Sequence, residues 1–178
     1  MTNARKPSDE STSAAPAKSR RGASPKTPDA FALLKADHAE VKQCFKDYEK
    51  LVTSNADDDD KQALAERICT LLTVHATIEE EVFYPAARDV LDDASLVDEA
   101  DVEHASAKEL IAQIESMGPA DDHFDAHVKV LGEYIDHHVK EEQDELFPKL
   151  KKAGLDAAAL GEQMGALKHE LTAERVSA

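Results

Sequence analysis

Two segments of the sequence repeat a pairing of histidine and glutamate that suits metal binding. His75 is followed four residues later by Glu79, and His138 is followed at the same spacing by Glu142. An apolar residue, an aromatic residue and a proline follow in both segments, which match at a constant offset of 63 residues. On a helix, residues i and i+4 lie on one face about 6 Å apart. Each pair could therefore hold one metal ion, or the two pairs could share two ions.

Two further histidines each stand alone in the stretch that precedes one of these segments. Asp37-His38-Ala39 resembles Glu103-His104-Ala105 at an offset of 66 residues, so the second half of this region looks like a repeat of the first. Counted from turns expected near Asp57, Leu91 and Ala120, the histidines and glutamates of neighbouring helices lie at similar heights, within about one helical turn at ~1.5 Å per residue. The sequence therefore predicts one layer of six metal-ligating side chains from four helices: His38, His75, Glu79, His104, His138 and Glu142.

The chemistry of this layer favours metal binding over a purely hydrogen-bonded core. Burying a charged group without a partner costs on the order of several kcal/mol, so the alternative to metal is a layer of polar side chains that satisfy one another. Imidazole and carboxylate together suit iron, manganese or zinc, and bridging carboxylates favour two ions. His137 also precedes a glutamate, Glu141, by four residues and is the alternative to His138, although alignment on Pro148 selects His138.

The elements that must position these side chains are helices. Few aromatic residues, only six glycines and much Ala, Leu, Glu and Lys favour helix over strand. Apolar periodicity predicts an all-α, antiparallel up-down four-helix bundle over residues 29–152, with an extra C-terminal helix in 153–178. The predicted helices cover about residues 29–54, 58–90, 92–118, 121–151 and 156–175.

The N-terminal segment differs from the rest of the chain in composition. Residues 1–28 contain four of the seven prolines and six basic residues against two acidic ones, which predicts a disordered basic tail whose partner is unknown. The chain carries a net charge of −16, so the remainder carries −20. An acidic bundle argues against nucleic-acid binding by that part. No apolar run could span a membrane and no secretory signal is visible, so a cytoplasmic protein is expected, with Cys44 and Cys69 as buried thiols or, alternatively, a redox pair.

The histidine and glutamate pattern resembles the hemerythrin-like HHE cation-binding domain over about residues 31–150. The resemblance implies a centre of two iron ions with an oxo or hydroxo bridge, manganese and zinc being less favoured. It further implies that Glu79 and Glu142 bridge the two ions. His38 and His75 would then cap one ion, and His104 and His138 the other.

The chain departs from that family's pattern at two places. Oxygen carriers have a second histidine one turn before the helix-3 ligand, where this chain has Ala100. The iron-centre-repair relatives have further histidines around the first two helices, where His38 is the only histidine before His75. The resulting open positions are where water, peroxide, dioxygen or nitric oxide would bind. Tyr48 is one candidate to fill such a position.

Three classes of function fit these observations. The first is a module that binds or senses O2, NO, peroxide or iron itself, and the second is an enzyme that decomposes peroxide or reduces O2 or NO. In the third, metal only stabilises the bundle and the basic tail carries the function. The sequence contains no nucleophile elbow, glycine-rich phosphate loop or CxxC pair that would indicate another reaction class.

The residues around the ligands are expected to have structural roles. Asp37 and Glu103 directly precede ligands, which turns them about 100° away and favours surface salt bridges. Pro85 and Pro148 are expected to bend or end their helices just past the site. The remaining expectations are a solvated surface for Glu80, Glu81 and Glu141, and core packing for Tyr84 and Phe147.

Overall fold

The computed structural model describes residues 1–2 and 27–177, and these form helices joined by short turns, with no strand among the described residues. Nearly all of the predicted disordered tail, residues 1–28, lies outside the described residues. Within the described part, no helix is both long enough and apolar enough to cross a membrane. The helices are α1 (Ala30–Thr53), α2 (Asp58–Ile78), α3 (Tyr84–Val90), α4 (Ser95–Glu115), α5 (Phe124–Glu141), α6 (Phe147–Ala153) and α7 (Ala157–Ser177).

Two short π-helical segments join helices that run on from one another. The segment π1 (Glu79–Phe83) connects α2 to α3, and π2 (Glu142–Leu146) connects α5 to α6. The chain thus forms four long rods: α1, α2–π1–α3, α4 and α5–π2–α6. Each rod packs against two neighbours, since α1 contacts α2 and α5 while α4 contacts the same two helices. The predicted antiparallel up-down four-helix bundle with an extra C-terminal helix is confirmed.

Local sequence explains where the first helices begin and the sixth ends. The Asp29 carboxylate accepts a hydrogen bond from the Ala32 amide at 2.8 Å and caps α1. Asp58, Asp59 and Asp60 fill the first turn of α2, where negative charge is favourable. Gly154 ends α6 in the left-handed conformation, with a φ of 83° that glycine adopts without strain.

The apolar core of the bundle is divided into two clusters by the polar layer. The first apolar cluster lies toward the N-terminus of α1 and contains Phe31, Phe83 and Phe147. The second apolar cluster fills the opposite end and contains Cys44, Ile68 and Leu131 among others. Each rod changes from one cluster to the other at its predicted ligands, as α1 does between Leu34, His38 and Val41. The layer is therefore enclosed by apolar packing above and below.

The C-terminal helix α7 packs across α1, α2 and π1. It inserts Leu160 and Met164 into the first apolar cluster. Gly161 lies so close to the start of α1 that an added Cβ atom would be 2.3 Å from the backbone oxygen of Pro28. The side chain of Lys168 forms an ion pair with Asp37 on α1. This helix therefore covers one side of the bundle at the level of the polar layer.

Both cysteines are free and buried in the second apolar cluster. Burial raises the pKa of the Cys69 thiol to about 12, and burial also raises the pKa of Cys44. A thiol with a raised pKa stays protonated and is a poor nucleophile. The two residues act as small apolar side chains in the core.

Candidate metal centre

The four rods bring all six predicted ligands into one buried layer. Each of these residues exposes 6% of its surface or less, and Glu79 is fully buried. The histidines come from α1, α2, α4 and α5, whereas the two glutamates begin the π-helical segments. The members of the layer are His38, His75, Glu79, His104, His138 and Glu142.

The four imidazole rings meet in two pairs through their inner nitrogens. The Nε2 atoms of His38 and His75 are 3.1 Å apart, and those of His104 and His138 are 3.3 Å apart. In each pair the ring centroids are less than 5 Å apart, at 4.7 Å and 4.8 Å. Four ring nitrogens that face one another at this distance can bind ions between them.

The two glutamates lie between the histidine pairs. Oε2 of Glu79 is 3.2 Å from Nε2 of His75 and 3.3 Å from Nε2 of His104, so that this carboxylate contacts both pairs. Oε2 of Glu142 is 3.2 Å from Nε2 of His38. None of the four carboxylate oxygens has a hydrogen-bond partner, although buried carboxylates normally have one. Two groups of possible metal ligands result, His38–His75–Glu79 and Glu79–His104–His138, and they share Glu79.

Burial and mutual proximity set the protonation of these groups in the metal-free protein. Burial, and then the negative charge of Glu142, raises the pKa of Glu79 well above its usual value. The pKa of Glu142 is lowered, because the nearby imidazoles, His38 first, outweigh the effect of burial. Burial lowers the pKa of His75, and burial with the neighbouring His138 lowers that of His104 to about 4. The imidazoles of His75 and His104 are therefore neutral at pH 7, which is the form that binds metal.

Every histidine of the layer has a polar side chain opposite its outer nitrogen. Nδ1 of His138 lies 2.7 Å from a carboxylate oxygen of Glu103. The Nδ1 atoms of His38 and His104 have neighbours at hydrogen-bond distance too, whereas the neighbour of His75 is farther away. A carboxylate beside Nδ1 holds the ring proton there and leaves the Nε2 lone pair directed inward. These neighbours are Glu80 for His104 at 3.0 Å, the Gln143 amide for His38 at 2.8 Å and Asp37 for His75 at 3.6 Å.

These contacts correct the expectation for two acidic residues. Asp37 and Glu103 were expected on the surface in salt bridges, but the side chains are only 9% and 12% exposed and face His75 and His138. A rotation of 100° from a ligand directs each carboxylate to the neighbouring rod rather than to solvent. Glu80, expected on a solvated surface, likewise faces a histidine of the layer, since it contacts His104 as well as Lys108.

The two tyrosines considered from sequence are both buried in the core. Tyr84, expected to be a core residue, has its hydroxyl 3.1 Å from Nε2 of His104. Since Nδ1 of that ring faces Glu80, the hydroxyl donates to Nε2. Burial raises the pKa of Tyr84 well above its usual range, so the hydroxyl keeps its proton. Tyr48 as a candidate to fill a metal position is wrong, because its hydroxyl donates to Asp125 at 2.8 Å beside the second apolar cluster.

Pro85 and Pro148, expected to bend or end their helices, do not end them, since helix continues past both, to Val90 and Ala153. The amide of Tyr84 donates to the carbonyl of Glu79, and the amide of Phe147 donates to that of Glu142, each five residues back. A proline in a regular helix would clash with the carbonyl four residues before it. The wider π turn avoids this clash at Pro85 and at Pro148, so that both rods continue.

A small cavity lies against the histidines on the side of the second apolar cluster. It has a volume of about 30 Å³ and is lined by the four histidines of the layer and by apolar side chains such as Val41, Leu72 and Ile111. A space of this size holds one or two water-sized molecules. The layer thus has a pocket for a very small ligand directly beside the ring nitrogens.

The sequence profile of the hemerythrin HHE cation binding domain matches residues 29–150, which span the four rods and all six residues of the layer. The chain belongs to this family. It is therefore a metal-binding domain. A solved structure of a hemerythrin HHE cation binding domain-containing protein from Mycobacterium kansasii has the same fold, with a TM-score of 0.70 at 19% identity over 84% of this chain and 91% of that one.

A curated relative of the hemerythrin-like domain is larger than this chain. A DNA nickase from Nostoc sp. is 28% identical over 122 residues, which are 67% of this chain and 32% of the nickase. The matched region thus spans about a third of the nickase.

Sequence reasoning missed two residues that support the layer. Gln143 follows the ligand Glu142 and contacts His38, and Lys168 on α7 pairs with Asp37 from 131 residues away. The first could have been found by asking which polar residue of helix 4 lies one position from a ligand. The pairing of Lys168 with Asp37 has no local sequence signal, because it depends on how α7 packs on the bundle.

Proposed function

We propose that this hemerythrin-like domain holds two iron ions in the layer and reversibly binds a small ligand, O2 or NO, so that it acts as a binding or sensing module. The observation that supports this most directly is the state of Glu79 and Glu142. Four buried carboxylate oxygens lack hydrogen-bond partners and lie beside the imidazole nitrogens of His38, His75 and His104. Such an arrangement is costly without a cation and favourable with one.

The donor set favours a pair of ions and, among metals, iron. Two ligand groups that share Glu79 would suit two ions, and Glu142, 3.2 Å from His38, would supply a second carboxylate. Histidine with carboxylate fits iron, manganese and zinc, but zinc has no redox chemistry. An iron pair when bound supplies the electrons that O2 or NO accepts on binding.

The chain's own residues would select and protect the ligand. The cavity of about 30 Å³ admits a diatomic molecule and excludes larger substrates. Its apolar lining on the side of the second cluster disfavours water and charged species. The Tyr84 hydroxyl, held beside His104, can donate a hydrogen bond within the layer.

The alternative is an enzyme at the same centre that decomposes peroxide or reduces O2 or NO. One observation favours it: the Tyr84 hydroxyl lies 3.1 Å from Nε2 of His104 and can donate a hydrogen bond to a reacting oxygen within the layer. The reduced protein mixed with O2 in a stopped-flow instrument separates the two. A stable adduct that releases O2 under vacuum supports the binding module, whereas rapid oxidation without an adduct supports the enzyme. Evolution of O2 from peroxide no faster than with free iron would remove the peroxide reaction.

The first test is the metal content and absorption spectrum of untagged protein purified in air. We expect about two irons per chain and near-ultraviolet bands from bridging oxygen to iron. Both should be lost in a variant that carries His75→Ala with His138→Ala, while His169→Ala on the exposed face of α7 changes neither. Zinc alone, or no metal in a folded bundle, would contradict the proposal.

A further inference from the structure

We infer that His137, Glu141 and Glu103 form an outer cation site through which divalent metal enters the centre between α4 and α5. The inference rests on the proposed function to the extent that the inner layer must take up metal ions. It assigns a role to a histidine and two carboxylates that the layer itself does not include.

The three side chains form a compact donor set at the surface. Nε2 of His137 is 3.4 Å from a carboxylate oxygen of Glu141, four residues later on α5, and 3.7 Å from one of Glu103 on α4. All three ligand atoms lie within 4.8 Å of one another. The side chains of His137 and Glu141 are 61% and 32% exposed, so an ion can reach them from solvent. One imidazole and two carboxylates suit first-row divalent cations.

The charge of this site is not already neutralised. Two of the three carboxylates opposite the histidines are paired with lysine, Asp37 with Lys168 and Glu80 with Lys108. Among the described residues, no lysine or arginine forms an ion pair with Glu103 or Glu141. Their negative charge faces only the His137 and His138 rings. A cation therefore meets less competition here than at the corresponding positions on the other rods.

Glu103 and a small cavity connect this site with the inner ligands. Glu103 faces both ways, since one oxygen approaches His137 and the other is 2.7 Å from Nδ1 of His138. Directly beneath lies a cavity of about 10 Å³ that Glu103 and Glu141 share with Glu142. Both oxygens of Glu142 are buried and without a hydrogen-bond partner, so they are available to receive a cation at the inner end.

The seam between the two helices is kept narrow but open by a small side chain. Ala100, 5% exposed, lies one turn before His104 and lines the same cavity. A volume of about 10 Å³ is close to the space that one water-sized sphere needs. A larger side chain at this position would fill the cavity while the three outer donor residues themselves stay unchanged.

Cobalt(II) is a suitable probe, because its visible absorption changes when histidine and carboxylate replace water. We would mix metal-free, full-length protein with Co2+ and follow the visible band in a stopped-flow instrument. Wild type is compared with His137→Ala/Glu141→Gln, and His169→Ala/Glu170→Gln on α7 is the control that removes the same chemical groups from an exposed surface. We expect the inner ligands of the first variant to load about ten-fold more slowly and to reach the same final cobalt content as in wild type, while the control loads like wild type.

Two further results decide between failures. Ala100→Leu should slow, to a similar extent, the appearance of the visible band of cobalt bound at the inner ligands. The outer donors stay intact in this variant, and circular dichroism must show a folded bundle. Equal loading rates in wild type and in His137→Ala/Glu141→Gln would overturn the entry site and leave the metal centre untouched. If wild type takes up no more Co2+ than the His75→Ala/His138→Ala variant, the metal centre and the entry site both fail.

Discussion

Each histidine of the layer is oriented by the group at its outer nitrogen, and these groups differ. Three are carboxylates, whereas His38 faces the neutral amide of Gln143. A carboxylate strengthens its imidazole as a donor more than an amide does. His104 and His138, whose Nδ1 atoms have a carboxylate at hydrogen-bond distance, are thus the stronger nitrogen donors, and the ion bound by His38 and His75 should be the more readily lost.

The hydroxyl of Tyr84 gives a prediction at the scale of a single residue. In metal-loaded protein the His104 nitrogen is occupied, so the hydroxyl 3.1 Å away must find another acceptor within the layer. Tyr84 packs with the first apolar cluster and does not line the cavity, so a ligand that extends from the cavity between the rings would accept this hydrogen bond. We expect Tyr84→Phe to keep its iron but to release NO about ten-fold faster, the effect of one lost hydrogen bond of about 1.4 kcal/mol.

Tyr48→Phe is the matched control for this change. Tyr48 is also a buried tyrosine with a raised pKa, but its hydroxyl donates to Asp125 away from the layer. Its NO release, measured by trapping freed NO with haemoglobin, should equal that of wild type. Equal rates in both variants would show that the Tyr84 hydroxyl has no contact with the ligand.

At the scale of the elements, the π segments place the two glutamates. Glu142 is the first residue of π2. Helix α6 is held in the core by Phe147 and Leu150. The extra residue in the π turn therefore sets the direction in which the Glu142 side chain points. Deleting the exposed Glu145 should restore a regular helical turn and rotate Glu142 by about 100°. We expect the deletion variant to keep its far-ultraviolet circular dichroism but to bind at most one iron. Glu145→Ala, which retains the turn, should bind two.

The docking of α7 depends on one close backbone approach. A Cβ atom on Gly161 would lie 2.3 Å from the Pro28 oxygen and 2.8 Å from the Asp29 backbone, atoms that cannot move independently. We expect Gly161→Ala to lower the free energy of unfolding by about 1–3 kcal/mol, as measured by urea denaturation. Gly165→Ala is the control, because its nearest contact is a Leu33 methyl at 3.9 Å, and it should gain up to about 1 kcal/mol of helix propensity. A loss of equal size in both variants would contradict this account.

At the scale of the whole molecule, the sequence predicted the bundle and its ligand layer because both arise from regular spacing. Periodicity gives the rods, and equal distance from the turns gives the common height of His38, His75 and the other ligands. The neighbours of the ligands depend instead on how rods rotate and on where α7 packs. The inward direction of Asp37 and the contact of Lys168 with it therefore needed the structure, as did the π turns, which shift the helical period over only five residues.

Because a polar layer divides the apolar core, the metal-free protein should be less stable than one with an apolar layer. Without metal, Glu79 and Glu142 are buried between two apolar clusters with unpartnered oxygens. Replacing such groups by apolar side chains of similar volume often stabilises a protein by about 1–4 kcal/mol. We expect metal-free His75→Leu/Glu79→Met to be more stable than metal-free wild type by this amount in urea denaturation.

Adding Fe2+ without oxygen should reverse that order, because a ligand that binds only the folded state stabilises it by about 2.7 kcal/mol at a hundred times its dissociation constant. Wild type should gain stability with Fe2+, and His75→Leu/Glu79→Met should gain little. The surface control His169→Leu/Glu170→Met should stay within about 0.5 kcal/mol of wild type and keep the full response to Fe2+. If the layer variant is less stable than wild type even without metal, the polar groups of the layer stabilise one another, and a cation is not needed to explain them.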